Sequence, residues 1–182
     1  MTRWEELPGF TSDPGTSRKI NVYSRSDECG AGQVWGEYLG GSQDDLAGVR
    51  VYGDPGVADA VIKDAAGIGY NNINFAFDAK TEKTVAGLEI LKLDFNRNGK
   101  IDPDEDVYAT RRDLINAIVD GRFPSPPARN LYFVTKGKPQ KKSVFDFLLW
   151  VFKDGQRFID ESGYIAVKKE ERDKCLKALN AD

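Results

Sequence analysis

The sequence predicts an α/β fold in which a mixed, mostly parallel sheet is flanked by helices. Segments that alternate like β-strands are followed by segments whose apolar residues recur with helical spacing, and this order of elements is typical of parallel sheets. Gly, Pro and Asp residues stand between these segments, at positions where helices start and end. The chain has 182 residues, which is enough to bury an apolar core without disulfides or metals.

The first half of the chain is predicted to begin with a lead-in, a strand and two helices. Residues 1–18 are rich in Gly, Pro, Ser and Thr, so we expect an extended lead-in. Residues 20–25 alternate like a strand, and residues 28–39 have the apolar face of a helix. A second helix is predicted to be capped by Asp54 and to end at Gly67.

The rest of the chain is predicted to contain strands and helices in alternation. Strands are expected over 68–77, 88–93 and 131–134, and helices over 110–119, 143–152 and 168–179. The predicted organisation of residues 19–182 is therefore a single α/β unit.

Composition excludes several classes of function. The chain has no histidine, which excludes Ser-His-Asp and Cys-His catalysis and His-ligated metal sites. Its formal net charge of −3 argues against nucleic acid as the main partner. No apolar run approaches the roughly 20 residues of a membrane span, and the first residues lack the apolar region of a signal peptide. The two cysteines indicate neither a zinc site nor a disulfide framework.

The first candidate site follows the strand over residues 20–25, in the sequence Arg-Ser-Asp-Glu-Cys-Gly-Ala-Gly. The N–H groups at a helix N-terminus attract anions, Arg25 can hold an oxyanion through two N–H groups, and Gly30 lets a ligand approach the backbone. Asp27 fits a ligand that carries a proton, which favours hydrogen phosphate over sulfate. The same residues also fit an ordinary glycine-containing turn that is capped by Asp27.

Residues 25–31, Arg-Ser-Asp-Glu-Cys-Gly-Ala, resemble the Arg-x-Asp-x-Ser-Gly-Thr motif of the phosphate-binding proteins of ABC transporters. Residues 4–7 resemble the Trp-containing segment that precedes the second lobe in that family. Later parts of the family are resembled, in the same order, by residues 67–70, 132–139, 155–156 and 163–164. The resemblance implies that residues 19–182 form one α/β ligand-binding lobe of the type II periplasmic-binding-protein kind, with C-terminal return helices over 142–182. It also implies that the ligand-binding residues are Arg25, Asp27, Cys29, Gly30 and Ala31. Cys29 and Ala31 stand where the family has Ser and Thr, so two hydroxyl donors of the family are absent.

The resemblance also implies a function, partners and a location. It implies a non-catalytic protein that captures phosphate or a similar oxyanion for the membrane permease of an ABC importer. It implies a periplasmic or extracellular setting. The match covers the second lobe and C-terminal part of the family, so the missing first lobe is expected as a partner.

The second candidate site is an EF-hand-like calcium loop over residues 94–105. The twelve residues fit the loop pattern at each diagnostic position, and the predicted calcium ligands are Asp94, Asn96, Asn98, Lys100 through its carbonyl, Asp102 and Glu105. Gly99 permits the sharp turn, and Ile101 is expected to anchor the loop to a core. A single loop after a strand favours a structural role over a sensor, which needs paired loops and opening helices. The alternative is a polar turn without metal.

Two other functions are left open by the sequence. A calcium-dependent protein-interaction module would need a second similar loop, which the sequence lacks. A hydrolase of phosphorylated substrates could use a metal-bound water as its nucleophile, but the sequence offers no evident pair of nucleophile and base.

Overall fold

The computed structural model describes residues 2–7 and 18–180 of the chain. It contains two compact units, one that ends at Arg129 and one that begins at Asn130. Much of the predicted lead-in over 1–18 lies outside the described residues, and within it Trp4–Glu6 form a short 3₁₀ turn. The indole of Trp4 is buried and donates a hydrogen bond to the carbonyl of Ala66 at 3.0 Å.

Three parallel strands form the centre of the first unit. Strand β1 (Asn21–Arg25) lies between β2 (Val49–Val51) and β3 (Gly67–Gly69), and both of its partners run parallel to it. Helix α1 (Gly30–Tyr38) connects β1 to β2, and α2 (Gly53–Lys63) connects β2 to β3. The predicted α/β class with a parallel sheet and flanking helices is confirmed.

The strand order reverses at β1. The chain leaves β1 for β2 on one side and then crosses to β3 on the other, so that Tyr23 pairs with both Val49 and Gly69. In open α/β sheets, ligands bind beyond the carboxyl ends of the strands at such a reversal. Arg25 is the last residue of β1, and the first candidate site therefore begins at the position that this topology favours for a ligand.

The main apolar core of the first unit lies around α4 (Arg111–Asp120). Thr110 caps this helix by accepting a hydrogen bond from the N–H of Asp113, and Gly121 ends it with a left-handed φ of 77°. The helix predicted over 110–119 is thereby confirmed. The buried cluster consists of Phe77, Val107, Tyr108, Leu114 and Ala117, with partly buried residues such as Phe95 and Phe123 packed against it.

The helix α2 has different ends from those predicted. It begins at Gly53 rather than after an Asp54 cap, because the carboxylate of Asp54 pairs with Arg25 instead. It ends at Lys63, and Gly67 is the first residue of β3 rather than the helix stop. A Cβ at Gly69 would lie 2.7 Å from Cγ1 of Val57, so glycine in β3 allows the close contact with α2.

Two predicted strands were wrong, a third was predicted too long, and one strand was missed. The segment 68–77 contains only the end of β3 and the short helix α3 (Ile73–Ala76). Residues 88–93 form no strand, and their alternation is explained by Ile90, which packs on the core without a neighbouring strand. Residues 131–134 are exposed, with Val134 at 90%. Strand β2 was missed because it is only three residues long.

The second unit is helical in its described part. Helices α5 (Lys142–Phe152) and α6 (Lys169–Asn180) confirm the two helices predicted near the C-terminus. Leu148 and Leu179 are the buried apolar side chains of these helices. No helix within residues 2–7 and 18–180 is long and apolar enough to cross a membrane.

Replacement of Phe77 by alanine tests the position of the core. Phe77 is 1% exposed in the buried cluster, so Phe77→Ala should lower the free energy of unfolding by about 3–5 kcal/mol. The control is Tyr52→Ala, since Tyr52 belongs to the same unit and is 80% exposed. Urea denaturation measures both variants, and equal losses would contradict this assignment of the core.

Candidate functional site

The candidate site is organised around the guanidinium of Arg25. This residue is only 8% exposed, and its Nε donates a hydrogen bond to Oδ1 of Asp27 at 2.8 Å. Its Nη2 donates to Oδ2 of Asp27, and its Nη1 donates to Oδ1 of Asp54. The two carboxylates fix the plane of the guanidinium and compensate for the burial of its charge.

Arg25 keeps donors for a ligand despite these two partners. An arginine side chain has five N–H donors, and three of them are used by Asp27 and Asp54. Within the described residues no further acceptor is bound by this guanidinium, so one N–H on each terminal nitrogen is available. The carboxylates also raise the pKa of Arg25, with the Asp27 hydrogen bond as the largest cause.

Asp27 is held as a carboxylate that can accept further hydrogen bonds. Besides its two bonds to Arg25, its Oδ1 accepts the N–H of Gly53 at 3.1 Å, at the start of α2. The hydrogen bonds from Arg25 and then from Gly53 hold the pKa of Asp27 well below its usual range. An ionised carboxylate has only acceptors, so Asp27 can pair with a ligand O–H and disfavours an anion without a proton.

Asp54 belongs to this site and was missed in the sequence. Its Oδ2 accepts from Nδ2 of Asn72 at 2.6 Å, and its backbone carbonyl accepts from Nδ2 of Asn71 at 2.8 Å. These two amides hold Asp54 against Arg25. In the sequence an Asp-Pro pair indicates a helix start, and no local pattern reveals a partner 29 residues away.

The N-terminus of α1 follows Arg25 after a short turn. Cys29 is the N-cap of α1, and its Sγ accepts the N–H of Gly32 at 3.2 Å. The N–H groups of Gly30 and Ala31 donate to no acceptor within the part of the chain that the structure describes. The structure thus joins Arg25 to Asp27 directly and keeps two backbone donors free at the adjoining helix start.

Gln43 holds this turn in place and was also missed in the sequence. Its Oε1 accepts the N–H of Cys29 at 3.0 Å, and its Nε2 donates to the carbonyl of Asp27 at 2.7 Å. A single amide therefore ties both ends of the turn between β1 and α1. Its signal in the sequence is weak, because Gln43 lies in a short polar segment after the helix.

The predicted calcium loop is folded by its own side chains. Asp94 accepts the N–H groups of Asn98 at 3.1 Å and Gly99 at 2.7 Å, and Gly99 has a φ of 85°. Oδ2 of Asp102 accepts from Nδ2 of Asn96 at 2.9 Å and from Nδ2 of Asn98 at 2.6 Å. These contacts bring four of the predicted ligands to one side of a tight loop.

The carboxylate of Glu105 accepts hydrogen bonds from both ends of the loop. Glu105 is 3% exposed, and its carboxylate accepts the N–H groups of Phe95 at 2.8 Å, Asn96 at 3.0 Å and Asp102 at 2.9 Å. Within residues 2–7 and 18–180, no three or more Asp, Glu, Cys or His side chains are grouped as a metal site. A cation in this loop would therefore depend on asparagine and carbonyl oxygens as well.

Ile101 and Lys100 are the two remaining residues of the loop for which the sequence predicted a role. Ile101 is 38% exposed, so it does not anchor the loop, and Phe95 packs against the core instead, 5.4 Å between ring centroids from Phe123. Nζ of Lys100 lies 3.0 Å from Oδ1 of Asp102. The anchoring prediction was wrong because no second loop is paired with residues 94–105 in the described chain, so Ile101 has no partner surface.

Comparison with known proteins identifies two relationships. A family model described as a PBP superfamily domain matches residues 1–155. The phosphate-binding protein PstS of Xylella fastidiosa is 25% identical over 198 aligned positions, which cover 91% of this chain and 52% of the relative. The chain thus spans about half the length of that curated relative.

The lowered pKa of Asp27 predicts a pH dependence of stability. A carboxylate with a lowered folded-state pKa stabilises the fold fully above its ordinary pKa of 3.8, and this contribution is lost as the pH falls toward the lowered value. Asp27→Asn should therefore lower stability at neutral pH and weaken its dependence on acid. Thermal melts from about pH 7 to about pH 2 measure this effect.

The matched control is Asp59→Asn. Asp59 pairs with Lys63 on the surface of α2, with side-chain exposures of 60% and 72%, so its removal should cost less than about 1 kcal/mol. If both variants lose the same stability at neutral pH and keep the same acid dependence, Asp27 is not held in the ion cluster as described.

Proposed function

Because this chain belongs to the PBP superfamily, we propose that it is the ligand-binding second lobe of a protein that captures phosphate or a similar oxyanion for an ABC importer. Membership of this superfamily indicates a non-catalytic binding protein, in agreement with the sequence prediction. The observation that carries the proposal is the Arg25–Asp27 pair at the carboxyl end of β1, next to the free N–H groups of α1.

The binding mode follows from the donors and acceptors of this group. The two available N–H groups of Arg25 and the N–H groups of Gly30 and Ala31 donate to the oxygens of the anion. Asp27 accepts the proton of hydrogen phosphate. Sulfate has no proton at neutral pH, so it would face the carboxylate without a hydrogen bond, and this cost favours phosphate.

With Cys29 and Ala31 in place of Ser and Thr, this lobe offers an anion fewer strong hydrogen-bond donors than the family motif does. A thiol is a weak donor, and the Sγ of Cys29 already accepts from Gly32, while Ala31 contributes only its N–H. Each charge-assisted hydrogen bond that is lost costs roughly 1.5–3 kcal/mol. The proposal therefore includes a modest affinity and a first lobe that supplies the remaining contacts, in keeping with the half-length match to PstS.

The wider setting is part of the same proposal. The partners are the first lobe and the membrane permease of the importer, and the location is periplasmic or extracellular. These assignments are supported by the match to a phosphate-binding protein. They depend on the whole two-lobed protein and not on this chain alone.

We also propose that residues 94–105 bind calcium in a structural role. Support comes from the position-specific sequence pattern and from Asp94, which already folds the backbone around Asn98 and Gly99. The oxygens would come from Asp94, Asn96, Asn98, the carbonyl of Lys100, Asp102 and Glu105. Phe95 lies in the loop and Val107 follows Glu105 by two residues, and both pack in the core. A cation bound in the loop would therefore stabilise the fold of the first unit.

Protection of Cys29 from alkylation tests the oxyanion site. Both Cys29 and Cys175 are free thiols of intermediate exposure, and Cys175 in α6 of the second unit is an internal control. Phosphate should slow the reaction of iodoacetamide with Cys29 in a saturable way and leave Cys175 unchanged. Sulfate at equal ionic strength should protect neither thiol. Peptide mass spectrometry reports the two rates separately.

A substitution at Asp27 sharpens this experiment. Asp27→Asn removes the negative charge and supplies an amide donor, so sulfate should then protect Cys29 nearly as well as phosphate does. Equal alkylation of Cys29 with and without phosphate would contradict the proposed site. Equal protection by phosphate and sulfate in the unmodified chain would contradict the role of Asp27.

Thermal melting with calcium or with a chelator tests the loop. A ligand that binds only the folded state at roughly a hundred times its Kd adds about 2.7 kcal/mol to stability, so calcium should raise the midpoint by several degrees and magnesium by much less. Asp94→Asn should remove most of the shift. Asp104→Asn should keep it, because Asp104 is exposed and stands outside the ligand positions. An unchanged midpoint in saturating calcium would reject the calcium site.

A further inference from the structure

The guanidinium of Arg129 lies directly against the start of α1. A Cβ added to Gly30 would be 2.6 Å from Nη2 of Arg129, 2.8 Å from its Cζ and 3.0 Å from its Nη1. All three atoms belong to the charged group and none to the aliphatic stem. Gly30 thus leaves the space in which a second arginine covers the first turn of the helix.

Among the residues that the structure describes, Arg129 has no counter-charge in this position. Its side chain is exposed, and within the described residues it makes no hydrogen bond or ion pair, whereas Arg25 and Arg122 both pair with carboxylates. A helix N-terminus carries a partial positive charge, so a cation beside it is unfavourable. An anion that lies between the N–H groups of α1 and Arg129 would turn this repulsion into attraction on both sides.

The charge balance of the site supports the same conclusion. Arg25 with Asp27 and Asp54 forms a cluster with one positive and two negative groups, so its formal charge is −1. Arg50 donates from Nη1 to the backbone carbonyl of Arg25 at 3.1 Å and offsets this charge, so the group has no positive excess to attract an anion. Arg129 supplies such an excess and up to five N–H donors.

We propose that Arg129 is a further oxyanion-binding residue that contacts the anion held at Arg25 and at the N-terminus of α1. It supplies charged donors where the side chain of Cys29 offers only a weak donor and that of Ala31 offers none. This inference rests on the proposed function and adds a residue to that site. The sequence did not single out Arg129, which lies about one hundred residues after the motif.

Calorimetric titration of inorganic phosphate into the chain and its variants tests this role. Arg129→Gln should weaken phosphate binding about ten- to hundredfold, the effect of losing one or two charged hydrogen bonds. The control Arg122→Gln removes the same charge elsewhere in the first unit. Nη2 of Arg122 lies 3.6 Å from Oδ2 of Asp120, and the Arg122 side chain is 47% exposed. This substitution should change the affinity for phosphate by less than about twofold. Arg129→Lys keeps the charge without the planar fork and should fall between these values.

Each outcome of the titration decides the question. If the unmodified chain binds phosphate and Arg129→Gln binds it as tightly as Arg122→Gln does, the inference is overturned and the proposed function stands. If the unmodified chain binds no phosphate, both are overturned. The melting midpoint of each variant is measured beside its titration, and Arg129→Gln is expected to melt like the unmodified chain.

If Arg129→Gln melts at a lower temperature, the Arg129→Lys variant decides. Weaker phosphate binding by Arg129→Lys with an unchanged melting midpoint supports the inference, and unchanged phosphate binding overturns it.

Discussion

The ion cluster of Arg25 with Asp27 and Asp54 is the interaction on which the rest of the candidate site depends. It joins the end of β1, the following turn and the first residues of α2. Removal of one partner destabilises such a cluster, because the other charge is left without compensation. The side chains of Asp27 and Asp54 are 27% and 16% exposed, so water reaches the cluster only in part.

The two helix starts at this edge of the sheet have different tasks. The N–H of Gly53 at the start of α2 donates to Asp27 and so supports the carboxylate that selects a protonated anion. The N–H groups of Gly30 and Ala31 at the start of α1 donate to no acceptor in the described chain and face the ligand in our proposal. One helix therefore strengthens an acceptor of the protein, and the other supplies donors to the anion.

The sequence predicted the parts of the fold and site that depend on near neighbours. Arg25, Asp27, Cys29, Gly30 and Ala31 lie within seven residues, and Thr110 with Gly121 marks α4 by local capping chemistry. It could not predict Asp54, Gln43 or Arg129, because only the folded sheet brings them to the turn after β1. The strands expected over 88–93 and 131–134 were wrong for a related reason, since a local apolar pattern alone cannot show whether a neighbouring strand exists. The calcium ligands stay a prediction, as the loop geometry is compatible with metal but does not require it.

The distances along the chain between contacting residues have a consequence for the order of folding. Hydrogen bonds within residues 94–105 join groups at most ten residues apart, so this loop can form early at a small cost in chain entropy. The Arg25–Asp54 contact spans 29 residues, and the contact of Gly30 with Arg129 joins residues near opposite ends of the first unit. Contacts of long range form late in folding. The anion site would thus be complete only once the first unit has folded, and phosphate binding would report on native structure more sensitively than helix content does.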